Sequence, residues 1–466
     1  MIGYFPKSIA NRGLVFYLIS IVLVSVFFMN YALDAVWFVL GLIEVPLFFW
    51  ASSNLTQRWR NMPPKMFVMN LFWIAFLVRV IWVVFSYFFY TYNTGIPFEY
   101  DAADSIAYHG DAEWLAGEPW KTTWDYLFAK RTGYSDSGYC LYLTFLYKIF
   151  GPSVFMARIF KCIYGSITCV LIYKLTTRTI NENVGKMAAV FAMLMPNLII
   201  YCGLHLKETE MLLLIVLFLE RADFAIRSQR ITFWNVVIPI LIAATLFLFR
   251  TVLGVVALFS FLTALLFSPN HVMKKGRRVA LTLWVVLGVV VLAGGTILNE
   301  VEELWMNRHV NQDYRRLEQT SRGNLWAHYA TGTVMAPMVF VLPFSTMVDT
   351  GQENQMMLHG GNYVRNFMGV FVLISLFGAL FVQKNWRNFA LIGSFAIGYL
   401  GVIATSGFAN AERFLLPGLP CLIVFWAYGL SVLTPKSYRF VKVWYIIVPI
   451  MEIAWAYFKI GSRGML

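Results

Sequence analysis

Residues 67–92 read FVMNLFWIAFLVRVIWVVFSYFFYTY. A run of this length decides the fold class, because a helix needs roughly 17–25 mostly apolar residues to cross a bilayer and a soluble enzyme has no use for so many. No water reaches the backbone there, so a span must satisfy its own N–H and C=O groups, which a helix does. The rest of the chain repeats the pattern. Of its 466 residues 59% are hydrophobic and 13% charged, and the mean hydropathy is +0.66. Further apolar runs lie near 13–30, 33–50, 153–175, 187–204, 209–226, 233–249, 251–268, 279–298, 365–383, 388–405, 414–432 and 442–458. With 66–92 they predict an all-α polytopic membrane protein of about 13 transmembrane helices. A closed β-barrel would show short alternating segments instead.

The net charge is +13, a surplus that in a soluble protein would suggest nucleic acid. Here more than half of the 37 Lys and Arg fall in seven short loops, represented by Lys7, Arg58, Lys174, Arg227, Lys274, Lys384 and Lys436, with few acids among them. The positive-inside rule explains the surplus, makes those loops cytoplasmic and removes the need for a nucleic-acid partner. The five cysteines, Cys140, Cys162, Cys169, Cys202 and Cys421, show neither a disulfide framework nor metal spacing. No small-residue cleavage site follows residues 14–29, so the first span is expected to be retained.

Two large loops then fall on the outer side. The first, 93–152, holds a third of all the acids together with Trp114, Trp120 and Trp124, a composition suited to helices lying in the interface. Its apolar piece 139–150 is too short to span and is expected as an interfacial or half-inserted helix. The second, 299–364, carries the charged segment 300–324 and then an apolar stretch, 329–344, broken by Pro337 and Pro343. A crossing there would carry Lys384 and Arg387 outside, so a re-entrant hairpin or a protein-covered helix is expected. His309, His328 and His359, with Asp313, Glu318 and Glu353, fit no metal spacing and are expected on a solvated face. The chain thus divides into a hairpin (1–62), a module containing the acidic loop (63–298), the second outer region (299–364) and C-terminal spans (365–466).

The densest chemistry lies at 100–117, YDAADSIAYHGDAEWLAG. Carboxylates at the rim of a bilayer are costly to desolvate and mark a functional site. At helical spacing Asp101, Asp104 and Asp111 share a face with Tyr108, which can offer one carboxylate as a base and another to hold a cation or a phosphate partner. A structural account competes: Asp101 as N-cap with Asp104 at N3 comes close to a capping box and suits the helix dipole. It leaves His109 and Asp111 unexplained, and both accounts can hold at once.

A second candidate is 201–208, YCGLHLKE, where Lys207 offers a compact charge to a lipid phosphate and Glu208 can orient it or help bind a metal. The alternative is an interfacial ion pair with a snorkelling lysine. A third is 409–420, ANAERFLLPGLP, where Arg413 either grips a phosphate bidentately or snorkels. Arg250, Arg158 and Lys161 sit in apolar surroundings that are costly unless they face a cavity or a partner, so they are candidates for phosphate contacts or for partners of the loop acids.

The pattern D-x-x-x-Y-H-x-x-A-x-x-L-A at 104–116 resembles the first outer loop of bacterial GT-C membrane glycosyltransferases, relatives of protein O-mannosyltransferases and of the lipid A aminoarabinose transferase. Residues 413–420 resemble the late R-[FY]-x-x-P-x-x-P segment of such enzymes. The likeness extends loosely over 66–432 through span order and loop sizes. It implies a GT-C-type bundle, a catalytic base at Asp104 with Asp101 and Asp111 as alternates, and a polar pair at Lys207 and Glu208. On this view Lys207, Arg413, Arg158 and Arg250 bind the donor phosphate, supported by Tyr108, His109, Glu208 and Lys161. The expected partners are a polyprenyl-phosphate-linked sugar donor and an acceptor glycan, lipid or protein, meeting at the outer (periplasmic) side of a bacterial inner membrane, with inversion at the sugar. A divalent cation, Mg or Mn, would be compatible, although no ligand set in the sequence demands one. Two spans precede the acidic loop where the family commonly has one, which leaves 1–62 outside the shared core as an accessory hairpin. Two other readings stay open. One is a polymerase or ligase of undecaprenyl-diphosphate-linked glycans, working through 299–364 with Arg315, Arg316 and His309. The other is a lipid or solute transporter, for which discontinuous helices in repeated halves would speak.

Overall fold

The computed structural model describes residues 2–130, 137–228, 232–267, 338–405 and 411–461, with residues 282 and 286 besides. Regular structure among them is helical, without a named strand. In chain order the main helices are α1 (Lys7–Phe27), α2 (Ala35–Arg58) and α3 (Pro64–Thr94), then α4 (Ala103–Gly117) and α5 (Ser137–Phe150) in the acidic loop. There follow α6 (Val154–Thr179), α7 (Glu182–Leu194), α8 (Glu208–Arg227), α9 (Phe233–Phe249) and α10 (Thr251–Phe267). The C-terminal part holds α11 (His359–Val382), α12 (Trp386–Ala404), α13 (Glu412–Ser431) and α14 (Ser437–Gly461).

Eight of these helices (α1, α2, α3, α6, α11, α12, α13 and α14) are long and apolar enough to cross a membrane, fewer than the number of apolar runs. Helix α8 carries Glu208 and Glu210 in its first turn and Asp223 near its end, so its ends are too polar. Helices α9 and α10 are 17 residues each. The run 187–204 is broken, with α7 and Pro196–Gly203 meeting at 57°. The run 279–298 lies outside the described residues.

Local sequence sets several of these boundaries. Pro64 opens α3 at a position where its missing N–H is not needed. The same helix closes on Gly95, whose φ of +77° returns its N–H to Thr91 O at 3.1 Å. Ser153 and Asn181 cap α6 and α7 through Met156 N (3.3 Å) and Val184 N (3.0 Å).

The break after α7 has a partner that periodicity does not reveal. Pro196 has no N–H to give the Ala192 carbonyl. Arg79, fully buried midway along α3, donates to Ala192 O at 3.3 Å and to Met193 O at 3.4 Å instead. A buried guanidinium thus replaces the lost helix bond and ties α3 to the bend that leads into residues 201–208.

The N-terminal hairpin packs into the same hydrophobic core as the C-terminal spans. Helix α1 lies along α14, and α2 lies against α11. Gly41 permits the second contact, since a Cβ there would overlap His359 Nε2 and the Tyr17 hydroxyl. Tyr17 OH bonds His359 Nε2 at 3.0 Å, His359 Nδ1 bonds Met356 O at 2.7 Å, and Glu44 accepts the Gly361 N–H at 3.1 Å. The expected solvated position of His359 is therefore wrong: the ring is wholly buried, and both nitrogens have partners, so burial leaves neither unpaired.

Of the expected re-entrant stretch 329–344, residues 338–344 are described. They run as turns and extended chain covered by protein, not as a helix. Asn366 accepts the Ser345 N–H at 3.1 Å and donates to the carbonyls of Val341 and Pro343, while Arg365 donates to Val339 O at 2.9 Å. Irregular backbone at membrane depth is tolerated when protein groups satisfy it in this way. The segment 300–324, with His309, Asp313, Arg315, Arg316 and Glu318, lies outside the described residues, as do His328, Ala409 and Asn410.

Candidate functional site

The acidic loop folds as helices, but not in the expected register. Helix α4 begins at Ala103 with Ala102 at its N-cap and no side-chain cap. Asp101 precedes the helix in a left-handed conformation, φ +50°. The capping box does not form, and Asp101 leaves the face it was expected to share with Asp104. Asp104 sits in the first turn, where its carboxylate is drawn to a guanidinium from the far end of the chain: Arg413 Nη1 stands 2.6 Å from Asp104 Oδ2. Asp111, two turns on, accepts from Tyr126 OH at 3.2 Å and so faces the loop's own interior. Tyr108 is buried beside Glu208 and Asp104; burial, then those two charges, push its phenol well above its ordinary pKa.

The turn 201–208 supplies the floor of the cluster. Lys207 is the N-cap residue of α8 and Glu208 its first helical residue. Glu208 is buried, with Oε1 at 3.4 Å from Arg413 Nε and 3.9 Å from Arg250 Nη2. Arg250, just past the end of α9, donates to Tyr399 OH at 3.0 Å, and Tyr399 donates in turn to Phe414 O at 2.7 Å. Both guanidinium groups lie over the Phe414 ring, at 4.6 Å and 5.4 Å from its centroid. Lys207 Nζ donates to Phe249 O at 2.9 Å. Its pKa falls to about 7, chiefly through burial and then through Arg250, against the pull of Glu208. Asp104 and Arg413 are the accessible members, 49% and 32% exposed at the side chain, over a Glu208 that is 1% exposed.

Neither a protein-family pattern nor any curated protein matches this chain.

What the cluster can do follows from its charges. Arg250 and Arg413 converge on two acids, Asp104 and Glu208, each of which already faces a guanidinium, and Lys207 stands beside them on the Phe249 carbonyl. A further negative group can enter this set more readily than a further positive one. Among the described residues no group of three His, Cys, Asp or Glu is arranged to hold a metal ion, and Arg413 occupies the place between the two acids that a bridging cation would need. These donors suit an anion.

Arg158 and Lys161, singled out for the same role, are fully buried and paired elsewhere. Arg158 Nη2 lies 3.4 Å from Glu99 Oε2, which also accepts the His205 N–H at 3.1 Å, while Ser105 OH donates to the other Glu99 oxygen. Lys161 Nζ lies 3.4 Å from Glu210 Oε2 and donates to Leu206 O. His109 belongs with this group: its Nδ1 bonds Tyr147 OH at 2.8 Å, and that hydroxyl reaches His205 Nε2 at 3.3 Å. Burial lowers the pKa of both imidazoles, which keeps them neutral near pH 7. Sequence reasoning missed Glu99, Glu210 and Tyr399. Glu210 could have been found as a second acid in the first turn of a helix otherwise apolar at that end; Tyr399, inside an apolar run, gave no sign.

A third buried pair joins Arg365 and Glu412 at 3.6 Å, with Asn197 Nδ2 donating to Glu412 Oε1 at 2.7 Å. It anchors the residue next to Arg413 to α11 and to the broken segment, and so fixes where Arg413 can reach.

Proposed function

We propose that the chain is an integral-membrane glycosyltransferase of the GT-C type, moving a sugar from a polyprenyl-phosphate donor to an acceptor at the outer face of a bacterial inner membrane. One observation carries the reading: Asp104 from the first outer loop meets Glu208, Arg250 and Arg413 from three other parts of the chain in one partly accessible cluster. In that arrangement Arg413, Arg250 and Lys207 hold the phosphate. Asp104 takes the proton of the acceptor hydroxyl as its oxygen bonds the anomeric carbon. The sugar–phosphate bond breaks on the opposite side, its electron pair leaves with the polyprenyl phosphate, and the single displacement inverts the sugar. A phosphate entering beside Arg413 gives the guanidinium a second anionic partner and loosens its hold on Asp104. The exposed Trp114, Trp120 and Trp124 suit loop helices lying in the interface.

The test is incubation of purified protein with a panel of labelled polyprenyl-phosphate sugars and mass-resolved analysis of products. Transfer lost in Asp104→Asn is the expected result, and normal turnover in that variant removes Asp104 from the role. One observation favours transport instead: the span broken at Pro196 ends beside the charged turn, as discontinuous helices do at transporter sites. It is the one bent pair among the described residues, so no second broken span matches it there. Carrier movement across a vesicle without any product would favour this second reading.

A further inference from the structure

Tyr399 lies in the apolar run of α12 and is wholly buried. A hydroxyl in that setting is costly unless it is bonded, and phenylalanine would fill nearly the same space without the cost. This hydroxyl is used twice. It accepts from Arg250 Nη1 at 3.0 Å and donates to Phe414 O at 2.7 Å. One oxygen atom therefore joins the two segments that carry the arginines of the cluster, since Phe414 directly follows Arg413.

The scaffold places that oxygen. The Tyr399 ring stacks on Phe395, with 6.4 Å between centroids and 15° between planes, and α12 packs along α10. Arg250 is the single residue between α9 and α10. Its backbone is fixed, with its N–H on Leu246 O at 2.9 Å and its carbonyl taking the Leu253 N–H at 3.0 Å. Only the long side chain is left to direct, and an arginine gives up much rotamer freedom when it is held. Tyr399 holds Nη1, and the Phe414 ring lies under both guanidinium groups. Arg250 Nη2 and Arg413 Nε then converge on one atom, Glu208 Oε1, at 3.9 Å and 3.4 Å. Two guanidinium groups that face one carboxylate oxygen are close enough to face one tetrahedral anion together.

We propose that Tyr399 is a positioning residue, whose hydroxyl sets Arg250 and Arg413 at the spacing of a single phosphate group before that group arrives. The assignment rests on the phosphate-binding part of the transferase reading, and Tyr399 acts through the two arginines without touching substrate. Its effect belongs in affinity, because a clamp held in place beforehand loses less freedom when the anion binds.

The test measures binding of farnesyl phosphate to the full chain in nanodiscs, with farnesol as the phosphate-free control. Tyr399→Phe keeps the ring and removes both bonds. It should weaken farnesyl phosphate about tenfold and leave farnesol unchanged. In an Arg250→Met background the same substitution should cost about threefold or less, because the side chain it directs is gone. Tyr399→Met, which also lacks the hydroxyl, is read in the same way should the phenylalanine variant not fold. A matching loss of farnesol, an equal loss with and without Arg250, or wild-type affinity in the variant overturns the proposal. So does a wild-type chain that binds no farnesyl phosphate. Transfer that is lost in Asp104→Asn, alongside wild-type binding in Tyr399→Phe, sinks the positioning role and leaves the transferase reading standing. A loss coupled to Arg250 in a protein that yields no transfer product with any donor does the reverse.

Discussion

Arg413 Nη1 lies 2.6 Å from Asp104 Oδ2, and the same guanidinium reaches Glu208 Oε1 through Nε at 3.4 Å. One side chain at the start of α13 therefore holds together the acid of the 93–152 loop and the acid that opens α8. For chemistry at this point, Asp104→Asn should cut transfer by about 10²–10⁴-fold while polyprenyl-phosphate binding stays near wild type. Product counting alongside a binding titration checks both halves. Equal loss of binding and turnover would make Asp104 a brace for Arg413 and not a base.

The lowered pKa of Lys207 gives the anion site a pH dependence. Above about pH 7 the folded protein holds Lys207 largely neutral. Between pH 7 and 9, where a phosphate monoester is already dianionic, affinity for polyprenyl monophosphate should fall by up to about tenfold per unit. Lys207→Met should bind more weakly and with a flat profile over that window, since Arg250 and Arg413 stay charged. The same shift acts on stability with a definite sign. The unfolded chain binds the extra proton between about 7 and 10.5, so folding gains from Lys207 as pH rises through that window, and the full penalty of the buried charge applies below it. A Lys207→Met profile parallel to wild type in either measurement would remove Lys207 from the site.

Arg79 should matter for stability through the carbonyls it serves. Arg79→Met strips Ala192 O and Met193 O of a donor and should cost about 2–6 kcal/mol, one to three for each orphaned group. Adding Pro196→Ala restores an N–H that can reach Ala192 O, so the double variant should recover part of the loss. Thermal unfolding in detergent reads both. Additive destabilisation in the double variant would show that the two residues act on different groups.

The glycines of α11 predict a packing defect. A Cβ at Gly360 would overlap Glu44 Oε2, and one at Gly361 would overlap Asn197 Oδ1. Gly360→Ala and Gly361→Ala should each lose about 1–3 kcal/mol through overpacking, seen as lower melting temperatures. Gly393→Ala, whose added Cβ meets nothing within 4 Å, should leave the melting temperature unchanged or higher.

Length and hydropathy made the membrane class legible, but of the about 13 spans expected, eight helices among the described residues are long and apolar enough to cross a membrane. The polar ends of α8 and the bend at Pro196 were also in the sequence, but a sliding count of apolar residues averages over them. Individual site residues were legible one at a time, because an Asp, a Lys or an Arg at an apolar boundary is costly enough to stand out. Their partners were not. Arg158 and Lys161 looked equivalent to Arg250 and Arg413, and only tertiary packing separates them: α6 meets the loop after α3, where Arg158 finds Glu99, and packs against α8, where Lys161 finds Glu210.

The sequence by itself determined that this is a helical protein with membrane-length helices and an acid-rich loop, since burial of apolar runs and backbone self-satisfaction are local matters. The tertiary structure decided which cation neutralises which carboxylate, that Asp101 turns away from Asp104, and that a buried arginine completes a helix broken by proline. Those outcomes depend on contacts between helices far apart in the chain, and neither periodicity nor spacing along one helix carries that information.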